Sequence, residues 1–152
     1  VMPTNLYGQN DTFDLEQSHV LPALLRKFHE AKQNRKKWVM LWGTGAPLRE
    51  FLHVDDLADA CLFLMKEYNQ PEIINVGTGE DISIKALAEL IKKITAFKGR
   101  ISWDPSKPDG MPRKLLDVSK LHSLGWRHSI SLTEGITRTY EWYTTHTDGR
   151  KR

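Results

Sequence analysis

The sequence predicts an α/β fold, on two observations. Short runs of β-branched and aromatic residues alternate with longer stretches whose apolar residues recur every three or four positions, and glycine turns or capping residues stand at the changeovers. At 152 residues and 39% hydrophobic composition, the chain is within the range of one domain, or part of one, with a continuous core.

Residues 1–4 read as a short strand, and Tyr7-Gly8-Gln9-Asn10-Asp11 as the turn that ends it. Strand character at the first residue suggests a chain that continues one begun elsewhere. Ser18 opens a helix with Pro22 in its first turn, and Leu21, Leu24, Leu25 and Phe28 form its apolar face as far as about Ala31. Residues 39–42 form a strand closed by Gly43-Thr44-Gly45, and residues 50–54 form another. Asp55 or Asp56 is the expected N-cap of a helix carrying Leu57, Ala60, Cys61, Leu64 and Met65. The pattern repeats with a strand at 73–76, a Gly77-Thr78-Gly79 turn, a Ser83 cap and the stripe Ile84, Leu87, Ala88, Ile91, Ile94. Residues 101–103 are a short strand, after which Pro105, Pro108 and Pro112 forbid helix and favour an ordered loop. Order resumes at 115–118; a short helix through Leu121 and Leu124 ends at Gly125, with Trp126 packed beneath. Ser131-Leu132-Thr133-Glu134 is a capping box for a last helix with Ile136, Tyr140 and Tyr143 on one face.

Composition excludes several classes. No run approaches the roughly 18 apolar residues of a membrane helix, and no leader with a cleavage site opens the chain, so neither anchoring nor export is expected. A single cysteine, Cys61 among apolar neighbours, can form neither an internal disulfide nor a cysteine-rich metal site; it reads as a small core residue and fits a reducing cytoplasm. The net charge of +3 is mild, and Arg35-Lys36-Lys37 and Arg150-Lys151-Arg152 read as solvated or frayed segments, so nucleic acid is not an expected partner. His53 and Asp55 would share a strand face only if the strand continued, and Asp56 is better used as a cap, so no metal is expected.

Two glycine turns invite a dinucleotide reading, which needs G-x-G-x-x-G between strand and helix. Gly77-Thr78-Gly79 has Ile82 at the third glycine position and Glu80-Asp81 where phosphate would sit, and Gly43-Thr44-Gly45 runs into Pro47-Leu48; both read as plain turns. His19 is the candidate acid/base residue, in the first turn of its helix, where the macrodipole disfavours an imidazolium and makes the protonated ring a readier donor. Arg49 is the best candidate for an anion, since a planar guanidinium pairs phosphate oxygens two at a time. A lone histidine at a helix start is otherwise a surface or capping residue, Lys27 a surface charge and Trp42 a core aromatic.

The run Arg49-Glu50-Phe51-Leu52-His53-Val54-Asp55-Asp56-Leu57-Ala58 resembles the substrate-domain signature of nucleotide-sugar epimerases and reductases. With Val1-Met2-Pro3-Thr4-Asn5-Leu6-Tyr7-Gly8 upstream and Ser106-Lys107-Pro108-Asp109-Gly110-Met111-Pro112-Arg113-Lys114 downstream, it resembles the GDP-L-fucose synthases of the extended short-chain dehydrogenase/reductase family. The likeness covers nearly the whole chain but only the C-terminal half of such an enzyme. It implies that residues 1–152 are a C-terminal substrate-binding portion joined to the last elements of a Rossmann-type parallel sheet, and that the N-terminal NADP-binding Rossmann portion is absent. The implied reaction is the 3,5-epimerisation and 4-reduction of GDP-4-keto-6-deoxy-D-mannose to GDP-L-fucose with NADPH, by a cytoplasmic homodimer when intact. The resemblance makes His19, in Ser18-His19-Val20, the epimerisation acid, with its cysteine base in the other half. It places Pro3, Thr4, Asn5, Leu6 and His19 at the NADP, and Lys27, Trp42, Arg49, Asp109 and Lys114 at the GDP-sugar, Asp109 as an acceptor for guanine N–H groups. The hydride-transfer tyrosine and lysine belong to the other half, so this half alone is expected to be inactive. Two alternatives stand beside this reading: the same half of another nucleotide-sugar epimerase or dehydratase, and a non-catalytic nucleotide-sugar or protein-binding module.

Overall fold

Among the described residues, fourteen elements build the α/β fold that alternation predicts. A computed structural model describes residues 1–15 and 17–147. In chain order they are β1 (Met2–Pro3), β2 (Asn5–Tyr7), α1 (Val20–Gln33), β3 (Trp38–Trp42), β4 (Leu48–Arg49), β5 (Phe51–His53), α2 (Val54–Glu67), β6 (Asn75–Val76), β7 (Ile82–Ser83), α3 (Ile84–Thr95), β8 (Arg100–Asp104), β9 (Arg113–Lys114), α4 (Ser119–Ser123) and α5 (Leu132–Thr147). The strands pair in small sets: β1 with β6, β2 with β5 and β3 with β8, all parallel. β4 lies between β7, antiparallel, and β9, parallel. Parallel neighbours far apart in sequence need long crossovers, and the intervening helices supply them.

Two hydrophobic clusters hold these layers. In one, Leu21, Leu24, Leu25 and Phe28 of α1 meet Leu87, Ala88 and Ile91 of α3, Ile136 and Tyr143 of α5, and Val39 and Leu41 of β3. The other joins Leu52, Ala60 and Leu64 to Ile74, Val76, Leu121 and Trp126. Trp126 is buried as expected, and its indole N–H donates to Asp59 at 2.8 Å.

Several boundaries differ from expectation for identifiable reasons. The first strand divides at Thr4, and Tyr7, expected in a turn, ends β2 in the core. The strand expected at 50–54 is broken at Glu50, so Arg49 belongs to its own two-residue strand. The N-cap of α1 is His19, in extended conformation at ψ 166°, one residue after Ser18; the imidazole makes no capping hydrogen bond. α2 follows β5 without a loop, so its N-cap is His53, whose Nδ1 accepts the Asp55 N–H at 3.2 Å. Asp55 and Asp56 therefore lie inside the first turn, where their charge favours the helix dipole. Ser83 does cap α3, accepting the Ala86 N–H at 3.1 Å. At α5 only half of the capping box forms: Ser131 Oγ accepts the Glu134 N–H, while the Glu134 carboxylate pairs with Arg138 one turn on. Met65 is exposed and Cys61 only half-buried, because α2 turns Ala60 and Leu64 inward and its other flank outward. The basic end at 150–152 lies outside the described residues. Among the described residues no helix is long and apolar enough to cross a membrane.

Candidate functional site

Both glycine turns hold carboxylates of this chain. At the end of β6, Thr78 N–H donates to Glu50 Oε1 at 2.6 Å, and Gly79 N–H to the same oxygen at 2.7 Å. A side chain on Gly77 would stand 2.3 Å from that oxygen, so only glycine fits. At the end of β3, the Thr44 N–H and hydroxyl donate to the two Asp109 oxygens at 2.7 and 2.6 Å. These bonds hold the Asp109 carboxyl below its ordinary range. The amides that a phosphate would need at Gly77-Thr78-Gly79 are thus already engaged.

Glu50 is the principal residue that sequence reading missed. It is fully buried, and besides the turn its Oε2 accepts the Leu116 N–H at 3.0 Å. Its sequence signal is a lone carboxylate inside an otherwise apolar strand run, since a buried charge demands several donors. Asp56 works the same way, accepting the Ser129 N–H and hydroxyl and the Ile130 N–H at 2.9–3.1 Å. His53 is buried too, and burial pulls its imidazole below the ordinary range. With Nδ1 accepting from Asp55, the proton sits on Nε2, which has no partner among the described residues.

The expected substrate residues fall into two adjoining groups. Arg49 on β4 stands in register with Lys114 on β9. Neighbouring residues in register project from the same sheet face, and like charges so placed repel unless an anion comes between them. Among the described residues neither has a carboxylate ion-pair partner; Arg49 Nη1 donates to the Leu48 carbonyl at 2.7 Å. Arg49 also lines a cleft of about 230 Å³ with Thr78, Glu80, Asp81 and His128. In the second group, Lys27 of α1 lies 5.4 Å from the ring centroid of Trp42, and Lys107 lies 5.8 Å from it. Burial pulls the Lys27 ammonium below its ordinary range. Trp42 is 68% exposed, so it is an open aromatic face and not a core residue.

The proline-rich loop joins the groups. Asp109 bonds Thr44, Gly110 lies over the Arg49 guanidinium, and the Pro112 carbonyl accepts the Leu48 N–H at 2.8 Å. His19 lies exposed at the start of α1, beside Asp11, whose carboxyl is raised by burial and held back by the Thr12 N–H and the charge of His19. Pro3 ends β1 and Leu6 lies within β2; between them Asn5 Nδ2 donates to the Glu50 carbonyl at 2.7 Å, and Thr4 Oγ1 to the same oxygen at 3.4 Å.

Parallel strand pairs with their crossover helices, and carboxylate-filled turns at the strand ends, make an α/β frame. The NAD dependent epimerase/dehydratase family matches residues 1–77, half of the chain, and the chain belongs to that family. It is similar to GDP-L-fucose synthase 1 of Arabidopsis thaliana, 60% identical over 142 residues, which are 93% of this chain and 44% of that protein. It is also similar to the GDP-L-fucose synthase of Escherichia coli strain K12, 53% identical over 157 residues, covering 97% of this chain and 49% of the other. Among solved structures, a GDP-L-fucose synthetase from Naegleria fowleri bound to NADP matches with a TM-score of 0.92 and 33% identity, over 100% of this chain and 48% of that one. The chain spans about half the length of the relatives it matches.

Proposed function

We propose that this chain is the C-terminal, substrate-binding portion of a GDP-L-fucose synthase, an epimerase and reductase acting on GDP-4-keto-6-deoxy-D-mannose. The observation that carries the reading is the pair of cations, Arg49 and Lys114, which lack a carboxylate partner among the described residues and are set side by side on β4 and β9 under the Gly110 loop, a seat for a diphosphate. Trp42, flanked by Lys27 and Lys107, offers an aromatic face beside it, and Asp109 holds the loop against the Gly43-Thr44-Gly45 turn. The relatives' names support the same substrate class.

The 4-keto group of such a sugar acidifies the protons at C3 and C5, so a base can remove each and an acid return one to the opposite face. His19 is proposed as that acid; its exposed imidazole stands free of a capping bond. NADPH, when bound, supplies the hydride for C4. The residues here fit the nicotinamide end and not the pyrophosphate: Thr4 and Asn5 present a neutral polar strand end, whereas the amides of Gly77-Thr78-Gly79 are filled by Glu50. A preceding NADP-binding portion is therefore the proposed intramolecular partner, and exposed Val1, Met2 and Ile73 beside β1 and β6 suit a surface it would cover. A cytoplasmic homodimer is proposed for the intact enzyme.

The test uses the intact enzyme, given GDP-4-keto-6-deoxy-D-mannose and NADPH. GDP-L-fucose should form with stoichiometric oxidation of NADPH; release of an unepimerised sugar, or no product, overturns the reading. Within it, Arg49→Ala should weaken GDP binding roughly tenfold to hundredfold, the value of a lost charge-assisted hydrogen bond. NADPH binding should be unaffected. Unchanged GDP affinity in a variant that melts normally refutes the diphosphate assignment.

A further inference from the structure

We infer that Glu50 is a positioning residue that holds Lys114 in register with Arg49 and ties both to the segment carrying Thr4 and Asn5; the inference rests on the diphosphate reading above. Glu50 reaches three segments of the chain. Its Oε1 takes the amides of Thr78 and Gly79, and its Oε2 takes the amide of Leu116, two residues beyond Lys114. Its own N–H donates to the Lys114 carbonyl at 3.3 Å, and its carbonyl receives Asn5 Nδ2 and Thr4 Oγ1.

Strand pairing alone fixes this register weakly, because β4, β7 and β9 are each two residues long. The buried carboxylate supplies what the short ladders do not. It also has to be a carboxylate: every group facing it is a donor, which an ionised carboxylate can accept on both oxygens. Glutamine would keep the two amides of the turn on its carbonyl oxygen and turn an NH2 toward the Leu116 N–H, donor against donor. Glu50→Gln should therefore free Leu116, and with it Lys114, while leaving the glycine turn in place.

The experiment is a double-mutant cycle in the intact enzyme, read by GDP binding with NADPH binding as the control. Glu50→Gln should weaken GDP at least about tenfold and leave NADPH unchanged. If Glu50 acts through Lys114, Glu50→Gln combined with Lys114→Ala should bind GDP no worse than Lys114→Ala alone. Additive losses, or parental GDP affinity in Glu50→Gln, overturn the inference while leaving the substrate reading intact. Failure of Lys114→Ala and Arg49→Ala to weaken GDP would instead remove the substrate reading. Should the glutamine variant not fold, Glu50→Asp, which keeps the charge but falls a methylene short, enters the same cycle. If neither folds while Lys114→Ala does, Glu50 is a purely structural residue and the inference fails.

Discussion

The same tripeptide, Gly-Thr-Gly, ends β3 and β6, and in both places the threonine N–H grips a carboxylate distant in sequence. In both turns the last glycine is left-handed, at φ +75° for Gly45 and +77° for Gly79. The burial differs. Glu50 is fully enclosed and takes three backbone amides and the Thr78 hydroxyl, the Leu116 amide coming from outside the turn, whereas Asp109 is exposed and is held by its own turn, chiefly by the amide and hydroxyl of Thr44. The same threonine grip therefore produces unequal energetics. A hydrogen bond to a charge strengthens as water is excluded, and the cost of losing it rises in step, because the stranded donors cannot turn to solvent. The first turn is a clasp for a loop; the second is a pin in the core.

Removing each carboxylate is the strongest way to break that contrast. Glu50→Ala strands three buried N–H groups at about 1–3 kcal/mol each, so a loss of at least about 3 kcal/mol is expected in chemical denaturation. Asp109→Ala should leave the denaturation midpoint nearly unmoved and speed hydrogen exchange of the Thr44 amide; equal losses for the two variants would show that burial is not what separates them.

The glycines test the same difference one step removed. Gly77 has an ordinary backbone conformation, so Gly77→Ala suffers from collision with the Glu50 carboxylate, which has no room to withdraw, at about 1–3 kcal/mol. At Gly43 the added carbon would also strike its carboxylate, Asp109, but that side chain can swing into solvent. What remains is the left-handed φ of +76°, roughly 1–2 kcal/mol for an L-residue. Gly43→Ala should thus release the loop, seen as faster Thr44 exchange, while Gly77→Ala should not.

Titration gives the smallest effect. Thr44 holds the Asp109 carboxyl below its ordinary value of 3.8, so the folded pKa is depressed. The clasp's contribution is fully present above that ordinary value and disappears as pH falls through the folded one. The Thr44 amide resonance should accordingly stay constant from neutral pH to about 4 and move only below it. Movement in the range of a histidine would assign the clasp to another group.

The α/β alternation, the amphipathic faces of α1 and α3, the Ser83 cap and the burial of Trp126 were legible from residue spacing, because periodicity and capping are local properties. So was the failure of the glycine turns as a dinucleotide loop, from the acidic residues after Gly79. The chain's own letters also set Arg49 apart as a candidate for an anion, while Lys27, Trp42 and Lys114 became candidates only through the family resemblance. Only the tertiary structure decided their company: that Arg49 meets Lys114 across two-residue strands, that Trp42 is open and flanked by two lysines, and that His53 displaces both aspartates as the cap of α2. It alone showed where the buried carboxylates point. Glu50 bonds residues 28, 29 and 66 positions away, and Asp56 bonds residues 73 and 74 positions away. Local pattern can announce that a buried charge needs donors; which distant amides arrive is fixed by how the two clusters pack, and that is a property of the whole chain.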